Sequence, residues 1–252
     1  SVPAPAVMET RPQSVPLTEA VSSTGRRVIS WKSSAPMPPP QAPMWVLSST
    51  TPAQARATGV VLGQLHEALA DFPMSRPNTL GPEGWFALAE KCGEDLDQIQ
   101  PGLKARVAQE CDYIRAHWPQ GLPRSVIHAD LFPDNVLMAG DAVCAVIDFY
   151  FACTEIRAWD LAVTHSSWAF DGADNSYLPD VGAALLDGYD ARFGLSDAER
   201  AAFSILARGA CLRFLLTRAW DWLNTPADAL VTPKDPMGPA RRLGFYKANP
   251  GI

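Results

Sequence analysis

The run Val126-Ile127-His128-Ala129-Asp130-Leu131-Phe132-Pro133-Asp134-Asn135-Val136-Leu137, followed by Ala145-Val146-Ile147-Asp148-Phe149-Tyr150, carries the strongest pattern in this chain. Polar side chains occur there only where the chain leaves apolar runs, as expected for strand, loop, strand, turn, strand. Val136-Leu137-Met138 and Val143-Cys144-Ala145-Val146-Ile147 flank Ala139-Gly140-Asp141-Ala142. That is a short hairpin whose Gly and Asp suit a tight reversal. Asp130, Asn135 and Asp148 then project from the ends of one small sheet.

The spacing carries chemistry. His-x-Asp-x-x-x-x-Asn, then an Asp closing a strand before Phe, follows the phosphotransferase pattern of kinase-type folds. Phosphoryl transfer needs a carboxylate within hydrogen-bond reach of the attacking hydroxyl. It also needs hard oxygen ligands for Mg²⁺, because the metal neutralises charge on a triphosphate. Asp130 is the candidate base, and Asn135 and Asp148 are the candidate metal ligands. Loop Asp and Asn also cap hairpins, but that reading does not account for the full order with Asp148 on the next strand.

His128 to Val136 (His-Ala-Asp-Leu-Phe-Pro-Asp-Asn-Val) and Ile147 to Thr154 (Ile-Asp-Phe-Tyr-Phe-Ala-Cys-Thr) resemble the aminoglycoside-phosphotransferase-like homoserine kinases. Ala158 to Val163, Arg213 to Pro226 and Pro233-Lys234-Asp235-Pro236 share the resemblance, which spans about residues 52 to 247. It implies a protein-kinase-like α+β fold whose mainly helical catalytic lobe carries a small hairpin. It also implies ATP-dependent phosphorylation of the L-homoserine side-chain hydroxyl, a step of threonine biosynthesis, with ATP and Mg²⁺ as cofactors. His128 would support the loop. Asp160, at the start of a helix, would bond backbone near the catalytic loop, although a plain N-cap explains an Asp there too.

The bulk properties permit this. A chain of 252 residues with 47% apolar content can bury a sizeable core. The net charge of -6, with no basic cluster beyond Arg26-Arg27 and Arg241-Arg242, argues against nucleic acid. Five widely spaced cysteines without a C-x-x-C favour reduced, buried thiols in a cytoplasmic protein over a disulfide framework or zinc site. No apolar run reaches the roughly 20 residues of a membrane span, no secretory signal is evident, and nothing specifies an oligomeric state.

Residues 1–50 depart from the rest. Ten of the 23 prolines fall between Pro3 and Pro52, and Met37-Pro38-Pro39-Pro40-Gln41-Ala42-Pro43 suits neither helix nor paired strand. The expectation is a proline-rich, poorly ordered remnant of the nucleotide lobe, with one short strand at Val28-Ile29-Ser30-Trp31. The start at Ser1 would suit a truncated or processed chain. The resemblance calls for a Gly-rich phosphate loop and a third-strand lysine; the sequence has no such loop. Lys32 is the only lysine before Lys91 and reads as a solvated loop residue. The nucleotide lobe is thus expected to be largely missing, ahead of a helical catalytic lobe at 51–252.

In that lobe Thr51-Pro52-Ala53-Gln54 is a capping box opening a helix of 52 to 70. His66 on it reads as packing or surface. A loop covers 71 to 82, and helices follow near 83 to 97 and 102 to 117, the second with a clear apolar face. Residues 149 to 154 are expected to cross the mouth of the site. His165 and Trp168 read as core. Leu178 to Phe193 mark a helix closed by Gly194, and a second capping box, Ser196-x-x-Glu199, opens a long helix of 197 to 224. Residues 224 to 239 read as loop, and 241 to 247 as a short helix or tail. Arg213, Arg218 and Asp221 on the long helix are candidates for the carboxylate and ammonium of homoserine, since an Arg grips a carboxylate with two parallel bonds. An Arg218–Asp221 ion pair at i, i+3 would use two of the same residues. Two other functions remain compatible with the sequence. One is a kinase of the same superfamily acting on an aminoglycoside or choline; the other is an inactive remnant, for which the missing loop and lysine speak.

Overall fold

The computed structural model describes residues 17–21, 27–31, 50–226 and 228–251, in two compact units, Ser1–Pro43 and Met44–Ile252. In the first unit, β1 (Leu17–Val21) pairs antiparallel with β2 (Arg27–Trp31), Leu17 opposite Trp31 and Val21 opposite Arg27. The expected strand is therefore one arm of a hairpin. Its partner was not legible, because Leu17, Ala20 and Val21 do not alternate with the polar residues between them. Lys32 and residues 36–43 lie outside the described residues.

The second unit is mainly helical. Its helices are α1 (Pro52–Ala68), α2 (Pro82–Cys92), the short α3 (Leu96–Ile99), α4 (Leu103–His117), α5 (Arg157–Trp168), α6 (Pro179–Arg192), α7 (Asp197–Asn224) and α8 (Met237–Ala248). Both capping boxes form: Gln54 N donates to Thr51 Oγ1 at 3.2 Å, and Ser196 N donates to Glu199 Oε2 at 2.9 Å. The helix expected at 83–97 is broken, because Gly93 takes φ 50° and leads into a 3₁₀ turn. The last helix starts earlier than expected, with Pro239 tolerated in its first turn, where backbone amides need no intrahelical acceptor.

α5 is the axis of the core, buried from Ala158 to Trp168. α7 lies against it, roughly 40 Å long at 1.5 Å per residue. α1 and α6 cross closely at Gly59 and Gly188, where a Cβ would run into the carbonyls of Leu185 and Arg56. Bidentate pairs fasten the edges: the buried Arg208 to Glu110 at 2.6 and 2.9 Å, and the half-buried Arg157 to Glu199 at 2.6 and 2.8 Å.

The strands differ from the single small sheet expected. β4 (Val136–Ala139) and β5 (Ala142–Val146) form the hairpin, turning at Gly140 with φ 61°. β3 (Arg124–Ile127) pairs instead with β6 (Cys153–Ile156), Ile127 opposite Cys153. The two ladders flank the segments that carry the three candidate residues. All five cysteines are free; four are buried, but Cys144 on β5 is exposed, contrary to expectation. Among the described residues no helix is long and apolar enough to cross a membrane.

Candidate active site

The chain leaves β3 at Ile127 and at once takes an unusual backbone: Ala129 has φ 65°, a left-handed conformation costly for a residue with a Cβ. Partners on both sides hold it. The backbone amides of His128 and Ala129 each donate to the Asp160 carboxylate at 2.7 Å. The Arg213 guanidinium donates to the Ala129 carbonyl. Trp168 Nε1 donates to Leu131 O at 3.0 Å, so His165's neighbour in the core also pins the loop.

Asp160 is fully buried and sits inside the first turn of α5, so it is not an N-cap. The Oδ2 that accepts from His128 N also accepts from His66 Nε2 at 3.0 Å, and His66 Nδ1 accepts from the Tyr189 hydroxyl at 2.8 Å. Burial alone would raise its pKa, yet the His66 bond and the backbone amide of His128 outweigh burial and hold it below the ordinary carboxylate range. Asp160 therefore stays an anion that organises the loop. His66, read from sequence as mere packing, belongs to this relay; an isolated helical His carries no signal of it.

His128 is the hub between the two segments that carry the candidate residues. Its Nε2 donates to Ile147 O at 2.9 Å, and its Nδ1 accepts from Asp130 N at 3.2 Å, which assigns the ring proton to Nε2. Ile147 N in turn donates to Asn135 O at 3.0 Å. Asn135 Nδ2 donates to Asp130 O at 2.8 Å, leaving its amide oxygen as the atom available to a cation. Asp148 ends the hairpin in a left-handed conformation, φ 61°, and its carboxylate accepts a long bond of 3.4 Å from Tyr150 N.

Asp130, Asn135 and Asp148 line one cavity of about 350 Å³. Burial raises the Asp130 pKa; the Arg213 charge counters it and Asp148 adds to it, leaving a carboxylate more basic than usual. A raised pKa suits a proton acceptor. Two hard oxygens from Asn135 and Asp148 match Mg²⁺, which takes one or two protein ligands and completes its shell with phosphate oxygens and water. Among the described residues no group of three or more His, Cys, Asp or Glu is arranged to hold a metal.

The sequence matches the phosphotransferase enzyme family over residues 32–195. The chain belongs to that family. It is 58% identical over 195 residues to a homoserine kinase from Zymomonas mobilis, covering 77% of this chain and 61% of the relative. It is 49% identical over 201 residues to one from Methylorubrum populi, covering 80% and 62%. The chain thus spans about three fifths of the length of these curated relatives. Among solved structures it is similar to a choline kinase from Cryptosporidium parvum, with TM-score 0.59, 12% identity and coverage of 93% of this chain and 73% of that one. A choline/ethanolamine kinase family protein from Mesorhizobium loti gives TM-score 0.55 at 18% identity, covering 93% and 72%. These likenesses give the kinase-like fold of the family.

The substrate candidates separate. Arg213 is 1% exposed, donates to Ala129 O and lies near the faces of Phe214, Phe151 and Trp159, with its carbon 4.6, 5.1 and 5.6 Å from the ring centres. Its guanidinium serves the loop, a role that helical spacing could not reveal. Arg218 and Asp221 line the cavity. Among the described residues no ion pair joins them; Arg218 Nη1 donates to Asp235 O at 3.3 Å instead. The segment after Asp148 does border the cavity, through Phe151. The surprise is what holds it. Arg76 donates to Tyr150 O at 2.7 Å and to Ala152 O at 3.4 Å, and its own carbonyl accepts from Thr154 N at 2.7 Å. This contact spans more than 70 residues of sequence, so residues 71–82 read as plain loop.

Proposed function

We propose that this chain catalyses transfer of the γ-phosphoryl group of ATP to the side-chain hydroxyl of L-homoserine. The observation that carries the reading is the convergence of Asp130, Asn135 and Asp148 on one cavity, with Asp130 made more basic by burial. Identity to homoserine kinases directs it to homoserine. Asp130 orients the hydroxyl and accepts its proton as the oxygen attacks phosphorus. The Asn135 amide oxygen and the Asp148 carboxylate would hold Mg²⁺, which supplies neutralisation of triphosphate charge when bound. Asp160, His66 and Arg213 keep the loop in a conformation that Ala129 would not adopt alone.

A second reading has one observation in its favour. Asp134 and Asp221 join the catalytic acids in the cavity lining, and so acidic a site suits a cationic alcohol such as choline or an aminoglycoside. The same lining includes Arg213, Arg218 and Lys234, and about 350 Å³ lies near the lower end of ligand sites, roughly 300–1,000 Å³. Both features favour a small substrate bearing an anionic group. The test is ADP formation with MgATP and, in parallel, L-homoserine, choline or kanamycin. The expected result is ADP formation that saturates with homoserine alone. Turnover with another alcohol instead, or with none, contradicts the proposal.

A further inference from the structure

The cavity wall contributed by α7 has a chemistry of its own. Phe214, Thr217, Arg218 and Asp221 follow the spacing i, i+3, i+4, i+7, one face of the helix. Lys234 reaches the same cavity from the loop before α8. Its place is set by its neighbour: Asp235 O accepts from Arg218 Nη1 at 3.3 Å, and Asp235 Oδ1 accepts from Met237 N at 2.8 Å. Among the described residues neither the Lys234 ammonium nor the Asp221 carboxylate has a hydrogen-bond or ion-pair partner within the chain. Arg218 has donors left beyond its single bond. Burial, and then the charge of Arg242, pull the Arg218 pKa down, yet arginine stays cationic.

Arg218, Lys234 and Asp221 thus border the cavity that the proposed base also lines. An α-amino acid presents carboxylate and ammonium on one carbon, so a site for it needs a cation and an anion side by side. Arg218 and Asp221, one turn apart on a helix, meet that requirement. An amino alcohol has only the ammonium, and a sugar hydroxyl has neither.

We propose that Arg218 and Lys234 bind the α-carboxylate, and Asp221 the α-ammonium, of an amino-acid alcohol whose hydroxyl lies at Asp130, so that this trio sets substrate selectivity. The inference rests on the kinase reading of the site. Lys234 is the new element of this grip.

Calorimetric titration in the presence of MgADP, using L-homoserine, 3-amino-1-propanol (no carboxylate) and 4-hydroxybutyrate (no ammonium), tests it independently of turnover. The wild type should bind homoserine roughly 10- to 100-fold more tightly than either analogue, the range for hydrogen bonds to charged groups. Lys234→Met and Arg218→Met should each shrink the homoserine preference over aminopropanol about tenfold while leaving aminopropanol affinity unchanged. Lys234→Arg should restore the preference. Asp221→Asn should instead shrink the preference over hydroxybutyrate. Should the wild type bind and phosphorylate homoserine while both preferences survive all three neutralising substitutions, the clamp is wrong and the kinase reading stands. A wild type that neither binds nor phosphorylates homoserine overturns both.

Discussion

Residues 128–135 receive support from three buried side chains on two helices, Asp160, Trp168 and Arg213, whereas residues 147–151 stand largely in solvent. Ile147, Phe149 and Tyr150 are 41%, 43% and 71% exposed. The exposed segment is tied to the first by His128 and to the surface by Arg76. The proposed base therefore sits on a loop whose strained backbone is fixed by the core. The proposed metal carboxylate sits on a hairpin end with few buried contacts, the kind of element that opens at low cost. The proposed base is thus held by the fold, while the proposed metal carboxylate is the less constrained of the two.

That contrast can be broken by experiment. The largest effect is expected at Asp130. Asp130→Asn should lower turnover by roughly 10²- to 10⁴-fold, the usual contribution of a positioned proton acceptor, without weakening MgATP binding. Equal loss of nucleotide affinity would show that the two regions do not divide the work as described.

Next comes Asp160. Asp160→Ala strands His66 and two backbone amides in the core, so a loss of roughly 3–5 kcal/mol is expected in denaturant unfolding. The pH dependence has a defined sign. The folded-state pKa of Asp160 is depressed, so its stabilisation is complete above the unfolded value of about 4 and is lost as pH falls through the lower folded value. Asp160→Asn should flatten that acid limb. A variant with the wild-type limb would remove Asp160 from the account of the loop.

The smallest effect is expected in the exposed segment. Tyr150→Ala should change stability by no more than roughly 0.5 kcal/mol. A loss several times larger would mean that this segment is anchored as firmly as the loop.

Local signals carried much of this architecture. Ser196 and Glu199 mark the start of α7, and the helix runs over Asp197–Asn224 as their capping box predicts. The apolar repeat Leu103, Val107, Cys111, Ile114 gives the buried face of α4. The meeting of Asp130, Asn135 and Asp148 at one cavity was legible in their order along the chain. What escaped is non-local or depends on burial. The pairing of β3 with β6 joins residues about 30 apart, and Arg76 reaches Tyr150 across 74. The bond of Arg213 to Ala129 O escaped because helical spacing cannot tell a buried guanidinium from an exposed one. Gly93 broke a helix where the apolar pattern alone favoured continuation.

The central claim is that Asp130, Asn135 and Asp148 serve one magnesium-bound phosphate donor. Its most direct test is a fluorescence titration with a non-hydrolysable ATP analogue, with and without Mg²⁺, on the wild type, Asp148→Asn and Asp130→Asn. The account predicts magnesium-dependent binding in the wild type, at least a tenfold loss in Asp148→Asn, and near wild-type affinity in Asp130→Asn. Binding that ignores Mg²⁺, or that survives intact in Asp148→Asn, would contradict it.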